Sequence, residues 1–118
     1  MPGNATTHVL DTALGRPAAG IGYRLYRIDG EARTPVAEGV TNADGRAPAP
    51  ILTPQTIRPG PYVLVYDVAT YHRGTGLTLT DPPFLDQVEL RFNISATDQH
   101  YHVPLLLSPF GYTTYRGS

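Results

Sequence analysis

Few side chains here could do chemistry near neutral pH. The chain has four histidines, His8, His72, His100 and His102, and its nine basic residues are all arginines. Imidazole titrates close to neutrality and can act as base or acid. Arginine keeps its charge and offers a planar fork of donors suited to electron-rich oxygens. General acid–base work with anion stabilisation is therefore open to the chain. Cysteine is absent, which removes disulfides, thiolate nucleophiles and thiolate metal sites. The serines are Ser95, Ser108 and Ser118, and none stands in a Gly-x-Ser-x-Gly elbow, so a serine hydrolase has little support.

Spacing narrows these candidates only partly. His100 and His102 fall two apart, on one face of a strand. Such a pair can chelate a metal, but no carboxylate stands beside it on that face, and Asp98 lies back at the strand's edge. No metal is expected. His8 opens a strand, where a polar surface role is ordinary. Arg46 follows an Asp44-Gly45 turn, where a solvated arginine is equally ordinary. His72 falls in a short helical or loop segment and carries no signal.

These residues must be held by short elements. Twelve glycines and twelve prolines cut the chain into pieces too short for long helices. Residues 87–94 alternate Val88, Leu90, Phe92 and Ile94 against Glu89, Arg91 and Asn93, the pattern of a half-buried strand. Residues 62–68 are apolar on both faces, as for a strand covered on each side. Residues 21–28 alternate likewise. Residues 100–107 and 112–116 form a last pair around the turn at Ser108-Pro109-Phe110-Gly111. Only residues 69–75 suit a helix, and a short one. Seven or eight strands are expected, in an antiparallel sandwich. One domain covers residues 8–118, preceded by a flexible segment over residues 1–7.

Three segments together resemble a known family. His8-Val9-Leu10-Asp11-Thr12 with Gly15-Arg16-Pro17-Ala18 is similar to the opening of the transthyretin superfamily, and Thr41-Asn42-Ala43-Asp44-Gly45-Arg46 to its second block. Tyr101-His102-Val103-Pro104-Leu105-Leu106-Leu107-Ser108-Pro109, followed by Tyr115-Arg116-Gly117-Ser118, resembles the hydroxyisourate hydrolase branch, whose terminal tetrapeptide the hormone carriers lack. The resemblance implies an all-β, transthyretin-like two-sheet sandwich with one short helix, assembled as a homotetramer. It implies hydrolysis of 5-hydroxyisourate to 2-oxo-4-hydroxy-4-carboxy-5-ureidoimidazoline without a cofactor. It also implies catalysis by His8, Arg46 and His102, with Tyr115 and Ser118 binding substrate. Opening a cyclic amide with water needs a base, oxyanion donors and an acid for the leaving nitrogen, and two histidines with an arginine suffice.

Composition is consistent with this and excludes other classes. A net charge of −1 favours neither nucleic acid nor an anionic membrane as partner. No apolar run approaches the roughly 20 residues of a membrane span. The first residues show no basic patch followed by an apolar run, so a cytoplasmic location is expected. The main rival is a transthyretin-like carrier using the same channel without chemistry. Against it stands the joint presence of His8, Arg46, His102 and the tetrapeptide, since a carrier channel should be predominantly apolar. A secreted adhesion or carbohydrate-binding sandwich is weaker, for want of clustered exposed aromatics.

Overall fold

Side chains alternate strictly along the first strand, β1 (Asn4–Asp11). Ala5, Thr7, Val9 and Asp11 are buried, while Asn4, Thr6, His8 and Leu10 face outward. The computed structural model describes residues 2–118. Further along the chain come β2 (Arg16–Pro17), β3 (Gly22–Asp29), β4 (Ala32–Val40) and β5 (Gly60–Asp67). They are followed by helix α1 (Val68–Gly74), β6 (Gln87–Ile94), β7 (His100–Ser108) and β8 (Gly111–Thr114). The eight strands form two four-stranded sheets, in the orders β2-β1-β7-β8 and β4-β3-β5-β6.

The interior faces of both sheets meet in one core. Leu25, Tyr62, Leu64 and Tyr66 come from one side, and Val9, Leu105 and Leu107 from the other. Polar groups in this core are paired, as burial demands. Thr7 Oγ1 donates to the Val103 carbonyl at 2.7 Å and meets the Tyr66 hydroxyl. Burial raises the Tyr66 phenol well above its ordinary value, so it stays protonated. Asp11 ends β1 with its carboxylate satisfied: Oδ1 accepts from Ala13 and Leu14 N–H, and Oδ2 from the Tyr71 hydroxyl at 2.7 Å.

Helix α1 continues directly from β5 and is short for local reasons. Asp67 at its start makes no side-chain cap, and positive-φ Gly76 follows its end. Its buried side is Val68, Ala69, Tyr71 and His72. Strand β6 runs over residues 87–94 as the alternation predicts.

Two expectations need correction. The segment over residues 1–7 is not a flexible leader, because residues 4–7 belong to β1. There Ala5 is fully buried and its N–H donates to the Leu52 carbonyl at 3.0 Å. The part of that expectation concerning Met1 lies outside the described residues. The sandwich is not wholly antiparallel, since β1 and β7 pair in parallel. Five strands and the helix separate them, and the chain re-enters the first sheet at the end where β1 began, as a parallel pair requires. Strand β5 is covered on both faces as expected, with Val63 and Val65 only 3% exposed on its outer side. Their cross-strand neighbours are Arg24, Tyr26, Glu89 and Arg91, long side chains of the kind whose apolar parts cover such surface.

Candidate active site

The parallel register of β1 and β7 assembles the site. It pairs Asn4 with His100, Thr6 with His102 and His8 with Pro104, all on the sheet's outer face. The His8 and His102 rings lie 6.5 Å apart at 27°, and those of His100 and His102 also 6.5 Å apart at 11°. Three imidazoles therefore run in a row with His102 in the middle.

Arg46 reaches this row through a turn written into its sequence. Asn42 Oδ1 accepts from Asp44 and Arg46 N–H at 3.0 and 3.1 Å, and Gly45 takes φ of 75°. The Gly45 carbonyl accepts from Val9 N–H at 2.8 Å, and a Cβ on Gly45 would sit 2.4 Å from the Val9 oxygen. Only glycine fits there, on both counts. The outcome is an antiparallel bridge between His8 and Arg46.

The far side of His102 is closed by the last residues. Gly117 N–H donates to the His102 carbonyl at 2.8 Å. The Arg116 guanidinium lies 4.1 Å over the Tyr101 ring and donates to Gln99 Oε1 and the His100 carbonyl. This segment is fastened rather than frayed.

An open groove of about 480 Å³ results, lined by Thr6, Arg46, His100, His102, Ser118 and the wall from Ala47 to Pro50. Of the expected site residues, Arg46, His102 and Ser118 line it, and His8 stacks against His102 at its side. Tyr115 does not join them. It lines a separate cavity of about 320 Å³ with Phe92, Tyr101 and Val103, between the edges of β6 and β8. Sequence reasoning missed Thr6, and it set His100 beside His102 without counting it among the site residues. The period of two pointed to both, since Thr6 shares a face with His8 and His100 with His102.

The electrostatics are lopsided. Among the described residues the single ion pair is Arg33–Glu89, remote from the groove, so the Arg46 charge is unpaired. Partial burial holds the His102 pKa below that of an ordinary histidine, and the nearby Arg46, His8 and His100 charges add to this. At neutral pH His102 is an uncharged imidazole beside a cation, a combination suited to taking a proton while an anion forms nearby. Among the described residues no group of three histidine, aspartate or glutamate side chains is placed to hold one metal ion.

A model of the HIUase/Transthyretin family matches residues 5–117. The chain belongs to that family. Within it, the 5-hydroxyisourate hydrolase of Deinococcus radiodurans is 53% identical over 113 residues, covering 96% of this chain and 94% of the relative. A crystal structure of (S)-allantoin synthase superimposes with a TM-score of 0.92 at 41% identity. That match covers 99% of this chain but only 44% of the larger protein. A Klebsiella pneumoniae 5-hydroxyisourate hydrolase structure gives a TM-score of 0.77 at 30% identity, covering 98% and 94% of the two chains. No helix among the described residues of this family member is long and apolar enough to cross a membrane.

Proposed function

We propose that the chain hydrolyses 5-hydroxyisourate, opening its ring by attack of water on a cyclic amide carbonyl to give 2-oxo-4-hydroxy-4-carboxy-5-ureidoimidazoline. The observation that carries this is the meeting of neutral-biased His102, His8 and unpaired Arg46 at one groove. The names of relatives covering nearly the whole chain support the substrate.

In this reading His102 takes a proton from water as its oxygen bonds to the carbonyl carbon. Arg46 donates to the oxyanion, and His8 gives a proton to the ring nitrogen as the C–N bond breaks. Ser118 offers a hydroxyl to the polar substrate. Tyr115, facing another cavity, contributes through the segment it belongs to unless assembly brings it to a groove. These steps need no cofactor. Freshly made 5-hydroxyisourate should lose its ultraviolet absorbance far faster with the protein than in buffer alone. An unchanged decay would sink the proposal and favour the carrier alternative.

A homotetramer and a cytoplasmic location belong to the same reading and have their own tests. Phe84 and Phe110 support assembly: each is 69% exposed, and their rings lie 6.0 Å apart, an apolar patch of the kind that contacts cover. Light scattering should give four times the chain mass. Cell fractionation should find the protein with soluble cytoplasmic markers.

A further inference from the structure

His102 is gripped on both flanks of its ring. On one side, Thr6 Oγ1 lies 2.8 Å from His102 Nδ1. On the other, Gly117 packs so closely that a Cβ there would come within 2.6 Å of His102 Cδ2. Nδ1 and Cδ2 are the two ring atoms bonded to Cγ, so a ring held at both projects its far edge, Cε1 and Nε2, off the sheet. That edge meets the groove shared with Arg46 and Ser118.

The neighbouring pair indicates which way the proton lies. His100 Nδ1 meets Asn4 Oδ1, an oxygen that can only accept, so His100 donates from Nδ1. The same register repeats one step along at Thr6 and His102. Among the described residues the Thr6 hydroxyl has no other side-chain partner, so its lone pairs are free for an N–H. Were the hydroxyl to donate instead, the ring proton would sit on Nε2, and the groove would face a donor with no base.

We propose that Thr6 is a positioning residue: its hydroxyl oxygen accepts the His102 Nδ1–H and fixes the tautomer whose bare Nε2 faces the groove. The proposal rests on the hydrolytic reading, in which His102 is the base. Nothing in the family resemblance assigns Thr6 this part.

Thr6→Val keeps the branched shape and removes the acceptor, whereas Thr6→Ser keeps the hydroxyl. Losing the group that orients a reactive imidazole costs on the order of 10- to 100-fold, and Thr6→Val should lower kcat on 5-hydroxyisourate by that factor. KM should stay within about twofold, because an orienting contact acts on the chemical step. Thr6→Ser should recover most of the rate. Nitrogen-15 NMR of wild-type His102, above its titration, should show the Nδ1–H form, with the Nε2–H form gaining in Thr6→Val. Thermal melts check that both variants fold, and the wild-type spectrum decides even if Thr6→Val does not.

An Nε2–H wild-type ring, full activity in Thr6→Val, or a raised KM with kcat intact would each overturn the proposal. Wild-type protein inactive on 5-hydroxyisourate would instead overturn the hydrolytic reading, and the NMR result would still report the Thr6–His102 bond.

Discussion

The outer faces of the two sheets bear polar groups for different ends. On the β4-β3-β5-β6 face, Arg24, Arg33 and Arg91 mix with Glu38 and Glu89, and Val63 and Val65 among them are buried. On the β2-β1-β7-β8 face the groups are Asn4, Thr6, His8, His100 and His102, with the Arg46 charge beside them. Each face holds a groove of similar volume, about 500 Å³ over Arg24, Tyr26 and Glu38 and about 480 Å³ over His102. Size does not tell them apart. One face mixes charges of both signs and joins Arg33 to Glu89 in an ion pair. The other sets a cation beside three titratable rings with no Asp or Glu side chain lining the groove, and such uncompensated polarity is what can act on a substrate.

Removing the groups on the second face should give the largest effects. His102→Ala, Arg46→Ala and His8→Ala should each lower kcat/KM by roughly 100-fold or more, the usual scale for an acid–base or oxyanion partner. All three side chains are exposed or half-buried, so melting temperatures should shift little. His100→Ala is the internal control, and an equal loss there would mean that the row acts as one unit. Steady-state rates with matched thermal melts separate chemistry from folding.

Deleting residues 115–118 should cost roughly tenfold or more in activity, as expected when an orienting contact is lost. It takes away the Gly117–His102 hydrogen bond and the Arg116 clamp on Tyr101. Activity and light scattering measured together would show whether the loss lies in the site or in assembly. Full activity in a tetramer would make this segment mere scaffolding.

Acid separates two histidines that share a direction of shift. Burial lowers the pKa of His72, which is 1% exposed on the buried side of α1. Asp11 opposes the shift, and the Ser108 backbone does so weakly, while neither ring nitrogen makes a good hydrogen bond. A folded-state value below the unfolded one, about 6.5, means the unfolded chain binds more protons in between. Stability is therefore fully present above about 6.5 and is lost as pH falls from there toward the folded-state value. His72→Phe should flatten that loss, read by melts across pH, yet leave the acid limb of kcat/KM in place. The activity limb should vanish with His102, whose uncharged form the reaction needs.

Much of this was legible in the chain, for identifiable reasons. Strand β6 and the short helix followed from period and glycine position, which are local. His8, Arg46 and His102 were found because recognisable motifs carry them. Thr6 and Tyr115 went astray because their surroundings depend on a parallel register between residues 96 positions apart and on which cavity a chain end meets. The parallel pairing itself has no local signature, since β1 alternates just as an antiparallel strand would. His72 gave no signal because its burial comes from packing, not pattern.

The smallest effect should come from the first face. Arg33 reaches across the sheet to Glu89 with Nη2–Oε1 at 3.0 Å and Nη1–Oε2 at 3.3 Å. The pairing raises the Arg33 pKa and lowers that of Glu89. Both side chains are close to half exposed, at 45% and 47%, so water and salt screen the attraction. Exposed pairs of this kind contribute little to stability. Arg33→Ala should therefore move the urea midpoint barely, and kcat/KM not at all, because Arg33 lies on the sheet opposite His102. The residual change should shrink further in high salt. A loss of activity as large as that of Arg46→Ala would break the contrast between the faces, showing that the compensated face also serves the reaction.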